Sequence, residues 1–418
     1  LMAHIYGVDI DPQAVEVTKL SLLLKVLEGE GVASQLSLGL ERALPDLGSN
    51  IKCGNSLIGP DFYAGKLDLP DEETERRVNA FDWQQEFPEA MAAGGFDAVI
   101  GNPPYGFHQI HADDVKPYFQ AHYQASHGSF EHYFLFYERS LALVRDSGYH
   151  GYIVPVTWLT IPSAHSLRKF ILEGFHIVEI SWLPELVFRN AQVNTLVSII
   201  RREPAATVNV LIYDSLGFRE PPRQQRVYLQ ERFIQEDFRI GIFETEVDKA
   251  ILQKIDAVSS PLEQFATPCS GYNPYEVGKG QAPRGGRQTP DTVKVKPYHS
   301  TQQLGPEWKP EIVGRDLGRY VVNVSGQRWI KYGPWLAAPR DPDNFRGKRI
   351  LVQEITGGPE RRIIAAYYEN DLYYSRDVIP IKLGQTMLQP GYLLGLINSH
   401  LITWYHHRRN PKAQKALF

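Results

Sequence analysis

The sequence of 418 residues is poor in cysteine, holding only Cys53 and Cys269. Two cysteines build neither a disulfide framework nor a thiolate zinc site, and both read as small buried residues. Nothing resembles a signal peptide, and no apolar run reaches the roughly 18 residues of a membrane span. A cytoplasmic location without a membrane partner is therefore expected. No charge sign is in excess: 44 Lys and Arg stand against 48 Asp and Glu, a formal net charge of −4. That balance argues against a protein coated in nucleic acid, yet leaves room for a local basic face. There is no PD…(D/E)xK arrangement of a nuclease. Gly278-Lys279-Gly280 is no phosphate loop, because the upstream glycine and the following Ser or Thr are absent. What remains is an ordinary globular composition, 43% hydrophobic and 22% charged, in a chain long enough for two cores.

The stretch that organises the chain runs from Phe96 to Tyr105, Phe-Asp-Ala-Val-Ile-Gly-Asn-Pro-Pro-Tyr. Asp97 to Ile100 predicts a short buried strand. Neither proline can donate to a ladder, and each restricts the residue before it, so Asn102 to Tyr105 is a stiff extended turn. Open α/β sheets place ligands at such strand ends. The turn offers a planar amino group two acceptors, the Asn102 carboxamide oxygen and the Pro103 carbonyl, and a stacking ring at Tyr105.

Upstream, Ile5 to Asp11 predicts a buried strand ending in acidic residues. Pro12 then opens a helix to Leu27 with Ala14, Val17, Leu20, Leu24 and Leu27 on one face. Asp9, at the strand's end, suits a ribose diol, whereas Asp11 reads as a helix cap. Lys52 to Leu57 is a short strand breaking at Gly54-Asn55. His108, His111, His122 and His127 follow the central turn without a ligand-spaced carboxylate or cysteine, so no metal is assigned. A helix is expected over Ser129–Val144, a strand over Gly151–Leu159, a helix over Ser163–Glu173 and strands over Ile177–Leu183 and up to Ile200. That alternation predicts a mostly parallel sheet. After a bridge near residue 240 the texture changes. Gly278–Pro297 reads as a mobile basic loop whose charges, with Arg315, Arg319, Arg328 and Lys331, suit phosphate contact. Strands are expected at Arg349–Ile355, Ile363–Tyr368 and Val378–Lys382, and a last helix at Tyr392–His407.

With Asp9, Asn55 and Asn102-Pro103-Pro104-Tyr105 in that order, the chain resembles the gamma-class N6-adenine DNA methyltransferases of type IIG restriction–modification enzymes. The run Ile312 to Leu317, the strands near Leu351 and Ile364, and Leu396-Ile397-Asn398-Ser399 resemble a TaqI-type specificity domain. The resemblance implies an α/β fold, a Rossmann-like methyltransferase sheet over residues 1–240, and an α+β target-recognition domain over 241–418. It implies S-adenosylmethionine as cofactor, held by Asp9, Ile10 and Asn55, and double-stranded DNA as partner. It implies catalysis by Asn102, Pro103, Pro104 and Tyr105, with Phe188, in Phe188-Arg-Asn-Ala-Gln-Val-Asn-Thr195, as the second aromatic wall for a flipped adenine.

One family feature is missing. The glycine-rich cofactor loop and its strand belong before Asp9, and that strand sits between the strands ending at Asp9 and Asn102. Without it, a gap of roughly 10 Å and unpaired edges are expected, to be filled by an upstream segment or subunit. The rival reading is a non-catalytic DNA-binding module derived from such an enzyme; the missing loop favours it and the intact turn opposes it. The same turn also resembles that of glutamine and some RNA adenine methyltransferases, which the specificity-like second half disfavours.

Overall fold

The computed structural model describes residues 3–27, 46–64, 72–106, 115–183, 194–213, 221–242, 244–354, 362–383 and 388–409. The chain divides into two compact units, Leu1–Gly241 and Ile242–Phe418.

In the first unit, β1 (Gly7–Asp9) and β2 (Ile51–Cys53) form a parallel pair of their own. Helix α1 (Pro12–Leu27) starts at a proline whose φ is preset for a helix, capped by the Asp11 carboxylate accepting from the Gln13 N–H at 2.8 Å. The buried stripe of α1 differs from the one expected. Val15 packs with Leu47 and Ile51, and Leu22 and Leu23 join them. Val17, Leu20 and Leu24 are exposed. The helix is apolar on two sides, and the two-stranded pair covers only one.

The main sheet takes the spatial order β3-β4-β6-β5-β7-β8. Its strands are β3 (Phe96–Gly101), β4 (Val144–Pro155), β5 (His176–Trp182), β6 (Thr195–Arg201), β7 (Thr207–Ile212) and β8 (Gln224–Leu229). Strands β3 and β4 run parallel, as do β5 and β7, but β6 lies antiparallel between β4 and β5, and β8 antiparallel beside β7. The sheet is mixed, not mostly parallel, because the last four strands follow one another with no helix between β5 and β8 among the described residues. Helices α2 (Lys116–His122), α3 (His132–Leu143) and α4 (His165–Gly174) complete the α/β layers. Tyr133, Phe134, Leu135, Tyr137 and Leu141 of α3 are all fully buried in the core.

Val144 begins β4 and does not end the preceding helix, while Val156–Leu159 is a 3-10 turn and not strand. The polar run Arg145-Asp146-Ser147 hides the strand's start, yet His150, Tyr152 and Val154 alternate inward as a pleat requires. Strand β3 was expected to be buried; the structure makes it the sheet's edge. Ile100 is 85% exposed, and β3 pairs only with β4 among the described residues.

The second unit opens with α5 (Glu246–Val258), closed by a Thr245–Asp248 capping box. Strands β9 (Ala266–Pro268), β10 (Arg349–Gln353), β11 (Ala365–Tyr368) and β12 (Val378–Leu383) form an antiparallel sheet in the order β11-β10-β12-β9. A second small sheet joins His299–Ser300, Trp329–Lys331, Trp308–Ile312 and Tyr373–Tyr374. Along β10 the pleat sends Leu351 into a cluster with Tyr272, Phe345 and Tyr374, and Ile350 into another with Ile381, Leu393 and Leu394. The expected last helix is two, α6 (Pro390–Ile397) and α7 (His400–Arg409). They part at Asn398, whose carboxamide accepts from the Ala365 N–H at 3.0 Å and donates to the Ala365 carbonyl at 2.9 Å. No helix among the described residues is long and apolar enough to cross a membrane.

Candidate active site

The central turn leaves β3 at Gly101, where the chain passes so close to Tyr152 that a Cβ would sit 2.9 Å from its ring. Asn102 and Pro104 are exposed, Pro103 is buried and Tyr105 is half-buried. Neither the Asn102 carboxamide nor the Pro103 carbonyl has a hydrogen-bond partner among the described residues. Tyr105 is fixed at both ends of its ring: its hydroxyl donates to the Ile153 carbonyl of β4 at 2.9 Å, and its edge meets Tyr133 at 6.2 Å and 80°. Burial pushes the Tyr105 hydroxyl up to about 12, so at neutral pH it is a hydrogen-bond donor and no base.

Beneath the turn lies a layer that the sequence pattern did not single out. The Tyr137 hydroxyl pairs with Ser198 at 2.6 Å, and Nε2 of His150 meets the Ser140 hydroxyl at 2.9 Å. His150 also lies 4.1 Å from the Tyr152 ring, centroid to centroid. Burial drives the His150 imidazole down to about 3, so it is neutral. The period-two alternation of 148–154 was the signal that could have found His150 and Tyr152.

The expected cofactor residues meet at the carboxyl ends of β1 and β2. Asp9 faces Cys53 across the ladder, and its main-chain carbonyl accepts from the Gly54 N–H at 2.9 Å. Oδ1 of Asp9 accepts from the Asp11 N–H at 2.8 Å. Asp9 and Ile10 are exposed. Asn55 is half-buried; its carboxamide oxygen accepts from the Leu57 N–H at 3.0 Å, which leaves its NH₂ without a partner among the described residues. Gly54 lets this turn approach Phe81, whose ring would lie 2.4 Å from an added Cβ. Acidic, apolar and amide groups together at two adjacent strand ends fit a nucleoside's diol, base face and base edge. Among the described residues this pair of strands and the main sheet share no ladder; Tyr6 joins them, packing on Phe87 at 5.3 Å and Phe96 at 5.6 Å.

Phe188 lies outside the described residues, as do His108 and His111. His122 stacks on Tyr118 at 4.0 Å and places Nε2 2.8 Å from Asp61, while Nδ1 of His127 meets the Gln124 carbonyl at 2.8 Å. Among the described residues no three His, Cys, Asp or Glu cluster as metal ligands would. Both cysteines are free; Cys53 is exposed and Cys269 half-buried, against the expectation of burial, because each ends or follows a short strand. Of the four cations expected on phosphate, Arg319 instead donates to the Asn398 carbonyl at 2.7 Å and Lys331 lies 3.7 Å from Glu307. Arg315 and Arg328 have no partner among the described residues.

Residues 3–188 match the Eco57I restriction-modification methylase family, and residues 309–418 the TaqI-like C-terminal specificity domain. The chain is 32% identical over 205 residues to the type II restriction enzyme and methyltransferase RM.Eco57I of Escherichia coli, covering 48% of this chain and 19% of that protein. It is 32% identical over 156 residues to the type II methyltransferase M.TthHB8I of Thermus thermophilus, covering 36% of this chain and 34% of that one. The chain thus spans a fifth to a third of the length of these relatives. A nuclease-deletion mutant of the Type ISP restriction-modification enzyme LlaGI, solved with a DNA substrate mimic, aligns with a TM-score of 0.51 and 11% identity over 99% of this chain and 42% of its own, a likeness of fold. From these matches, the chain joins an Eco57I-type restriction-modification methylase domain to a TaqI-like C-terminal specificity domain.

Proposed function

We propose that the chain is the modifying part of a restriction–modification enzyme, transferring a methyl group from S-adenosylmethionine to N6 of an adenine at a specific site in duplex DNA. Residues 1–240 are the catalytic domain in this reading and 241–418 the recognition domain. One observation carries it: the Asn102 carboxamide and the Pro103 carbonyl stand unpartnered at an open strand end, beside a ring whose orientation β4 and Tyr133 have already fixed.

A stacked base is out of reach, so the adenine must leave the helix at a cost of about a few kcal/mol. Asn102 and Pro103 accept the two N6 hydrogens, which raises electron density on a nitrogen otherwise conjugated with the ring, and aims its lone pair. Tyr105 stacks on the base, with Phe188 as the opposite wall. Asp9, Ile10 and Asn55 hold the cofactor, which when bound supplies an electrophilic methyl group. N6, held by Asn102 and Pro103, would take that methyl group, with the cofactor leaving as its neutral thioether, and would give a proton to solvent. A further strand between β1 and β3, from an upstream segment or subunit, completes the cofactor side.

The open edge of β3 favours a second reading, a DNA-binding module without catalysis. An assay of labelled methyl transfer to plasmid DNA separates the two, using the chain with its upstream segment. Asn102→Ala, at an exposed position, should fold normally and lose about a hundred-fold or more in rate. Label absent with the unsubstituted protein, while duplex binding persists, would establish the second reading.

A further inference from the structure

Residues 276–289 form a hairpin with a built root. The buried Gln288 accepts from the Glu276 N–H at 2.9 Å and donates to the carbonyls of Pro274 at 3.0 Å and Trp335 at 3.2 Å. The Gly278 N–H donates to the Gln288 carbonyl at 2.9 Å, and the Gln288 N–H to that of Lys279 at 3.1 Å. Tyr298 donates to the Gln281 carbonyl at 2.5 Å. At Gly280, φ is +55°, and a Cβ would lie 2.6 Å from both the Trp335 carbonyl and Gln288 Nε2. The sequence marks this stretch as a mobile loop; its root is instead pinned by the Gln288 and Tyr298 side chains, the Trp335 carbonyl and a close-packed glycine.

The tip is Ala282-Pro283-Arg284-Gly285-Gly286-Arg287, closed by Ala282 N–H to the Gly286 carbonyl at 3.0 Å and Gly285 N–H to that of Ala282 at 2.9 Å. Gly285 and Gly286 take φ of +92° and +76° in open space, a conformation other residues adopt at a cost. Arg284 and Arg287 are exposed and have no partner among the described residues, and the same holds for Lys294 and Lys296, within and just after the short helix Pro290–Val295. In a chain with net charge −4, this local cationic excess is held on a stiff support, and none of the four side chains is in an ion pair among the described residues. The stretch lies between the two family matches, so neither gives it a role.

We propose that this hairpin is a DNA-reading finger: Arg284 and Arg287 enter a groove of the duplex and bond base edges, while Lys294 and Lys296 hold phosphates beside it. The inference rests on the reading that the chain binds duplex DNA. A guanidinium presents a planar fork that matches the O6 and N7 of guanine. The glycine pair brings the backbone close to the groove without a Cβ in the way, and the fixed root removes most of the ordering cost of binding.

Selection from a randomised duplex library by the full-length protein tests this, comparing wild type with Arg284→Ala, Arg287→Ala and Arg284→Lys. Wild type should enrich one sequence. Each alanine variant should lose discrimination at a base pair by roughly ten- to a hundred-fold with an unchanged melting temperature, and Arg284→Lys should not restore it. Retention of the wild-type sequence preference by both alanine variants overturns the proposal. So does uniform weakening across all sequences with a flatter salt dependence, the mark of phosphate contact alone. If wild type binds no duplex at all, the functional reading itself falls, and the finger with it.

Discussion

Asn102 and His150 show the two ways in which one residue at this site meets its surroundings. Asn102 was legible because two following prolines dictate the backbone locally, so its exposure at a strand end followed from chemistry within a few residues. His150 was not legible: its burial depends on α3 folding back over β4, so that Ser140 and Tyr137 cover the ring, a packing that the residues next to His150 do not dictate. The consequence is a pH dependence with a definite sign. The unfolded chain takes up a proton near pH 6.5, whereas the folded imidazole refuses one until about 3. The folded state is therefore fully stable above about pH 6.5 and loses stability as pH falls toward 3, by up to about 1.4 kcal/mol per pH unit. Melting curves between pH 7 and pH 5 should show wild type losing more stability than His150→Phe. Parallel losses would mean that His150 is not the buried neutral group described.

At the scale of elements, the sequence placed strands where apolar runs were short and bounded, as at β10, β11 and β12, and misjudged joints where one element changes another's length. Tyr392–His407 carries a continuous helical pattern, yet the helix breaks, because Asn398 serves β11 and not its own helix. Strand β11 lies at the edge of its sheet, and the buried Asn398 side chain supplies an acceptor and a donor to Ala365, taking the place of a neighbouring strand. Ser399 then starts α7, its hydroxyl accepting from the Ile402 N–H at 3.1 Å. Replacing Asn398 by Ala leaves the buried Ala365 N–H unpaired, while the Ala365 carbonyl still accepts from the Tyr320 N–H at 2.9 Å, a loss of about 1 to 3 kcal/mol. Asn398→Asp, which keeps the acceptor and loses the donor, should also destabilise. Chemical denaturation followed by tryptophan fluorescence would read both, and wild-type stability in Asn398→Ala would remove the strand-mimic account. The basic hairpin at 276–289 was read as mobile for a related reason: Gly, Lys and Arg in a row look like a loose loop until Gln288, Tyr298 and the Trp335 carbonyl are seen to hold its root.

At the scale of the whole first unit, two sheets stand where one continuous sheet would bury more. Strand β1 pairs only with β2, and β3 only with β4, among the described residues. An edge carrying Ile100 at 85% exposure is a site for another strand, and neighbouring strands sit about 4.8 Å apart. Ile10, just past the end of β1, is 53% exposed and leaves apolar surface there as well. A strand laid between β1 and β3 would pair both edges and fix Asp9 and Asn102 in one rigid frame, which two separate sheets joined by Tyr6 cannot do as firmly. Binding that must first order its own site is weakened by the cost of that ordering. Calorimetric titration with S-adenosylmethionine should therefore give at least about a ten-fold tighter affinity when a segment able to supply such a strand is added, an increment of about 1.4 kcal/mol. Hydrogen exchange should slow at the β1 and β3 amides in the same sample, since their edges would then be paired. Micromolar affinity in this chain alone, unchanged by the added segment, would show that Asp9, Ile10 and Asn55 are already in working order and that the open edge serves something else.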